Sequence, residues 1–269
     1  MGDIIELPGE ENLRKEIKAL KKRVSELVLE RDDLKYTVCE NIKTEYMLEI
    51  GKLEYKVYNL YIKYLRLKRK KDLIQIKINR NELVEVNAIE RKLDSEFKDY
   101  QEKLNSKLDD INKAIERNDL EILSLEDSKK IKKLYLNLVK KVHPDLNPNQ
   151  SEEKLNLFNI IVEAYRAGDL VKIESISFLL EDDENLDNIK SSLMDIDEEK
   201  ARLNKIVVNL EKEIEEIKTT YPYIFKEFLE NKDKKLARFE ELNYQFASYK
   251  IAIETQKENI KILLRRLDE

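Results

Sequence analysis

Residues 129–165 read KKIKKLYLNLVKKVHPDLNPNQSEEKLNLFNIIVEAY, and the parsing of the whole chain follows from them. Ile131, Leu134, Tyr135, Leu138, Val139 and Val142 recur with helical period and form one apolar stripe. Lys129, Lys130, Lys132, Lys133, Lys140 and Lys141 occupy other positions of that helix and make it strongly basic. Pro144 disfavours the α conformation at His143, so the helix is expected to end there. Asn147-Pro148-Asn149 prolongs the irregular segment. A second helix is predicted from Ser151, a good N-cap, with Glu152 and Glu153 favourable in the first turn. It carries Leu155, Phe158, Ile161, Val162 and Tyr165, and Gly168 is its natural stop. Two helices and a short polar loop predict an antiparallel hairpin. At its exposed tip would stand Asp145 and His143, the one histidine of the chain.

On these residues the chain resembles the J domain of DnaJ-type co-chaperones. The resemblance rests on Ile131-Lys-Lys-Leu-Tyr135, on Leu138-Val-Lys-Lys-Val-His143-Pro144-Asp145-Leu-Asn147-Pro148, and on Phe158 followed by Glu163-Ala164-Tyr165. The tripeptide alone is weak; tied to a basic helix before it and this second helix after it, it is specific. The resemblance implies a surface that docks on a DnaK-type chaperone and stimulates its ATPase. Its contacts would be His143, Pro144 and Asp145, with Lys132, Lys133, Lys140 and Lys141 steering the approach. The chain also departs from the family. The stretch 118–127 lacks the Tyr…Leu-Gly pattern of the usual opening helix, and Leu136 and Leu146 stand where basic residues are common. Both leucines subtract positive charge from the docking surface.

Composition fits this reading. Charged residues are 40% of the chain, glycine and proline number 4 each, and tryptophan is absent. So few turn-formers in a Lys-, Glu- and Leu-rich sequence predict an all-α fold of long helices. Net charge is −5, which gives no global field for a polyanion. The one cysteine, Cys39, excludes an internal disulfide and reads as a buried structural thiol. The N-terminus has no signal-peptide pattern and no apolar run reaches the ~20 residues of a membrane span, so a cytoplasmic protein is expected.

The flanks read as coiled-coil arms. Leu13, Ile17, Leu20, Val24 and Leu27 mark a first seam, continued through Arg31 to Leu34, with a break expected at Val38–Asn41. A helix over 42–79 carries Tyr46, Tyr55, Tyr58, Tyr61 and Tyr64, read as a packed face rather than a base-stacking platform. Gly51 suggests a close crossing, and the basic run Arg66–Lys71 reads as a solvated face rather than a phosphate site. Asn79-Arg80-Asn81 predicts a turn into a return helix that carries Ile89 through Ile115. A helix over 169–181, capped by Asp169, should cover the second side of the J-like hairpin, and the acidic run 181–184 should link onward. Leu203, Val207, Leu210, Ile214 and Ile217 form another seam. Thr220-Tyr221-Pro222 then interrupts beside Phe225 and Phe228, and a last helix follows with Gln256 in its seam.

The expected domains are an N-terminal helical hairpin over 1–118, a J-like domain over 119–183 and a C-terminal hairpin over 184–269. The function expected is that of a co-chaperone whose arms bind a client, an assembly or a second copy. The alternative is a structural coiled-coil scaffold whose degenerate J-like fold stimulates no ATPase. Nucleic-acid binding is disfavoured. One His, one Cys and no glycine-rich phosphate loop predict no catalytic constellation, metal site or cofactor.

Overall fold

A computed structural model describes residues 8–119, 123–181 and 193–268. In chain order they form α1 (Pro8–Asp33), a π-helical turn (Leu34–Val38), α2 (Cys39–Tyr46), a second π-helical turn (Met47–Gly51), α3 (Lys52–Asn79), α4 (Val86–Glu96) and α5 (Lys98–Asp119). These are followed by α6 (Leu125–Val142), α7 (Glu152–Ala167), α8 (Leu170–Glu181), α9 (Leu193–Thr219), α10 (Phe225–Glu230) and α11 (Lys232–Asp268). The fold is all-α, with no strand among the described residues. Residues 182–184 of the acidic run and residues 120–122 ahead of α6 lie outside the described residues. The chain divides into two compact units, Met1–Asn41 with Glu121–Ile224, and Ile42–Leu120 with Phe225–Glu269. Each is assembled from two segments that are distant in the sequence.

In the first unit α1 and α9 run parallel. Glu16 pairs with Lys200, Arg23 with Glu211 at 2.9 Å and Glu30 with Lys218 at 3.1 Å, so positions advance together along both helices. Ile17, Leu20, Val24 and Leu27 share one core with Leu203, Val207, Leu210, Ile214 and Ile217. The two apolar seams are therefore two sides of one interface. Arg31, the polar interruption of the first seam, pairs with Asp32 at 2.8 Å and Glu213 at 3.5 Å. The break expected at Val38–Asn41 is not a loop. The backbone widens into a π-helical turn at Leu34–Val38, which re-phases the apolar face while the helix continues into α2 with Cys39 buried.

Helices α6, α7 and α8 pack on one another, and α1 lies against α6. Ile131, Tyr135, Leu138, Val139, Val142, Ile161, Ala164, Ile173 and Ile176 join the α1–α9 core. The helix ends follow local chemistry. Ser124 Oγ accepts the Asp127 N–H at 3.0 Å, starting α6 four residues ahead of Lys129, and Asp169 Oδ1 accepts the Lys172 N–H at 2.9 Å. Gly168 ends α7 in the left-handed region at φ 68°, with Asp169 N–H donating to the Ala164 carbonyl at 2.9 Å.

The second unit contains the predicted turn. Asn81 takes φ 53° and the chain returns through α4 and α5 along α3. The return helix is kinked at Phe97, between α4 and α5. The basic run on α3 is largely neutralised. Arg66 reaches Asp94 at 2.8 Å, Arg69 reaches Glu96 at 2.8 Å and Lys70 reaches Glu90 at 2.6 Å. α11 runs parallel to α3, with Lys235 on Glu49 at 2.9 Å and Arg238 on Glu54 at 2.6 Å. The tyrosine face packs on it, with Tyr61 and Tyr64 rings 5.5 and 6.0 Å from that of Tyr249. Phe225 and Phe228 close on Tyr46 at 4.4 and 6.1 Å. Gly51 lies in the second π-helical turn, where a Cβ would meet the Met47 sulfur of the same chain segment at 2.9 Å; the tight approach is local. The Gln256 side-chain oxygen in the α11 seam is buried without a hydrogen-bond partner.

Candidate functional site

The loop after α6 is built by its own hydrogen bonds. His143 has an extended backbone, φ −68° and ψ 131°, as the following proline requires, and its N–H still donates to the Val139 carbonyl at 2.9 Å. The last carbonyls of the helix are then taken up by the loop. Asn147 Nδ2 donates to the Lys140 carbonyl at 3.3 Å, and Gln150 Nε2 to that of Val142 at 2.9 Å. Leu146 and Asn147 N–H groups both donate to the His143 carbonyl, at 3.0 and 2.9 Å. The tripeptide thus sits in a closed turn.

The expectation of a solvent-facing His143 is corrected here: the residue is 5% exposed. Its ring meets the Phe158 ring edge-on at 4.8 Å, and Nδ1 accepts the Asp145 N–H at 3.1 Å. Burial, foremost, pulls its pKa below the usual imidazole value, against the opposing pull of Asp145. The imidazole is an internal brace of the loop. Pro144 is half-buried, while the Asp145 side chain is 45% exposed. Leu146 is buried in the core shared with α1 and α9. That accounts for a leucine at this position: a lysine would bring a charge into apolar packing.

The lysines of α6 are sorted by what faces them. Lys132 is paired with Asp33 of α1 at 2.8 Å. Lys130 pairs with Glu174 of α8, and Lys141 Nζ donates to the Leu180 carbonyl at 2.7 Å. Lys129, Lys133 and Lys140 are exposed, and none of them enters an ion pair among the described residues. With half-buried Leu136, these three fall on one helical face that leads toward the loop. Of the four lysines picked out by sequence, two are open and two are engaged within the chain.

A buried polar joint fixes α1 to the hairpin. Tyr135 Oη donates to Asp32 Oδ2 at 2.6 Å, and Asp32 is 1% exposed. Burial beside that carboxylate pushes the Tyr135 phenol far above its ordinary pKa, so it remains a donor. The Tyr165 ring stacks on that of Tyr135 at 4.0 Å and its hydroxyl lies 3.4 Å from Asp33 Oδ1. On the other side α9 reaches the tripeptide: Arg202 Nη1 donates to the Asp145 carbonyl at 2.7 Å. Sequence reasoning missed Asp32, Asp33 and Arg202, since each lies far along the chain from the loop. The one available signal was Arg31-Asp32-Asp33 interrupting an apolar seam. No group of three or more His, Cys, Asp and Glu residues with metal-holding geometry occurs among the described residues.

Fold and site together define a helical hairpin, two helices with a His-Pro-Asp turn between them, mounted on a pair of long helices. Residues 118–167 match the family model of the DnaJ domain. That family consists of co-chaperones that partner DnaK-type chaperones. No curated protein and no solved structure matches the chain.

Proposed function

We propose that this protein is a cytoplasmic J-domain co-chaperone that docks on a DnaK-type chaperone and stimulates its ATPase, without catalytic chemistry of its own. One observation carries the reading. An open basic face, Lys129, Lys133 and Lys140, leads along α6 to a half-exposed Asp145 carboxylate. Asp145 is acceptor-only when ionised and suits a cationic group on the partner. Pro144 shapes the turn, and His143 contributes from inside by holding Asp145. Lys132 and Lys141 belong to the same surface by position but spend their charge on Asp33 and the Leu180 carbonyl. The long helices beyond the hairpin are the parts available for a client, an assembly or a second copy.

The reading is tested by titrating a cognate DnaK-type chaperone with wild type and with the double variant Lys133→Glu, Lys140→Glu. Reversing two exposed charges facing an acidic surface should weaken binding at least about tenfold at low salt, and the gap should narrow at high salt. Equal affinities at both salt concentrations would sink it.

A second reading, a structural scaffold with a silent J-like fold, is favoured by Leu146. Where the resemblance places a basic contact, the chain buries a leucine against its own helices. A chain that binds no chaperone at all would leave that reading standing.

A further inference from the structure

The loop that presents Asp145 is completed from outside the matched segment. The Asp145 N–H donates to His143 Nδ1 at 3.1 Å, and its carbonyl accepts from Arg202 Nη1 at 2.7 Å. Both backbone polar groups of Asp145 are thereby pinned from opposite directions, while its carboxylate stays half-exposed. The guanidinium is itself held. Glu199, one helical turn earlier on α9, accepts from Nε at 2.7 Å and from Nη2 at 2.9 Å, a two-point fork that leaves Nη1 for the loop. A lysine ammonium could reach the carbonyl but could not keep this fork as well. Leu146, the next residue, is buried in the core that α1 and α9 share, so the loop is seated as well as hydrogen-bonded.

We propose that Arg202 is a positioning residue for the docking tripeptide: it acts through the Asp145 backbone to hold the carboxylate in the orientation a DnaK-type chaperone meets. This deepens the co-chaperone reading and rests on it. A pre-set loop gives up less conformational freedom on binding than a free one. In this chain the docking corner therefore belongs to the hairpin and α9 jointly.

The test is a double-mutant cycle on chaperone affinity with full-length Arg202→Ala, Asp145→Asn and the combined variant. Arg202→Ala should raise Kd by about tenfold, the worth of one well-placed hydrogen bond. Arg202→Lys should recover part of that loss. In the Asp145→Asn background Arg202→Ala should add little, since its effect passes through that carboxylate. A purely structural role for Arg202 predicts additive losses. Amide exchange provides a readout independent of the chaperone: in Arg202→Ala the amides of Asp145 and Leu146 should exchange faster, with those of Leu210 and Ile214 unchanged. An unperturbed Asp145 amide, or additive losses, overturns the inference. Wild-type binding with no change in Arg202→Ala overturns it and leaves the co-chaperone reading intact. A wild-type chain that does not bind overturns both.

Discussion

His143 is conspicuous in the sequence as the sole imidazole of the chain, but its setting makes it a structural group. Packed on Phe158 and accepting the Asp145 N–H, it must keep Nδ1 unprotonated to hold the loop. Burial lowers its folded-state pKa, while the unfolded chain takes up a proton near the ordinary value of about 6.5. Between those two values the unfolded state binds more protons. His143 therefore removes stability as pH falls below about 6.5, and its loss levels off once pH passes under the folded value. Urea unfolding of wild type and His143→Gln at about pH 7.5 and in steps below about 6.5 checks this. The substituted protein should be less stable near neutrality yet lose less on acidification; equal losses would contradict the assignment. Asp32 is a second buried polar residue, 1% exposed. A carboxylate this deeply buried is kept by Tyr135 and Arg31, and leaving it without donors would be costly.

At the scale of the element, most of the helical hairpin was legible. Its apolar period, the stop at Pro144 and the caps at Ser151 and Asp169 are all local signals, and each appears where the residues place it. The start of α6 was less legible: its cap, Ser124, precedes the first strongly periodic residues. Gly168 belongs among the local signals and gives a clear test. Its φ of 68° is strained for any residue with a Cβ, and an added Cβ would stand 3.4 Å from Leu123 Cδ1. Gly168→Ala should therefore lose about 1–2 kcal/mol in denaturant unfolding, the cost of a left-handed conformation. A neutral or stabilising result would contradict the α7–α8 corner. The π-helical turns at Leu34–Val38 and Met47–Gly51 were not legible as such. An extra residue in a turn leaves only a lapse in periodicity, which reads equally well as a break.

Across the whole molecule, the all-α class and the J-like segment were readable from the sequence, whereas the pairing of the long helices was not. A seam records that a helix buries one face, and it does not record against what. Leu203, Val207 and Leu210 would suit a neighbouring C-terminal helix as well as they suit α1. Reading along the chain therefore suggested arms that fold back on themselves, where α1 packs on α9 and α3 packs on α11. For the same reason Arg202 and Asp33, which set the state of Asp145 and Lys132, could not be found from the motif. The central claim is that this corner engages a nucleotide-driven chaperone through Asp145. Single-turnover ATP hydrolysis by a cognate DnaK-type chaperone tests it most directly, with wild-type protein beside Asp145→Asn. Since the Asp145 carboxylate is half-exposed, its amide should leave the fold intact and abolish the acceleration that wild type produces. The same rate with both proteins, or no acceleration by wild type, would contradict the account.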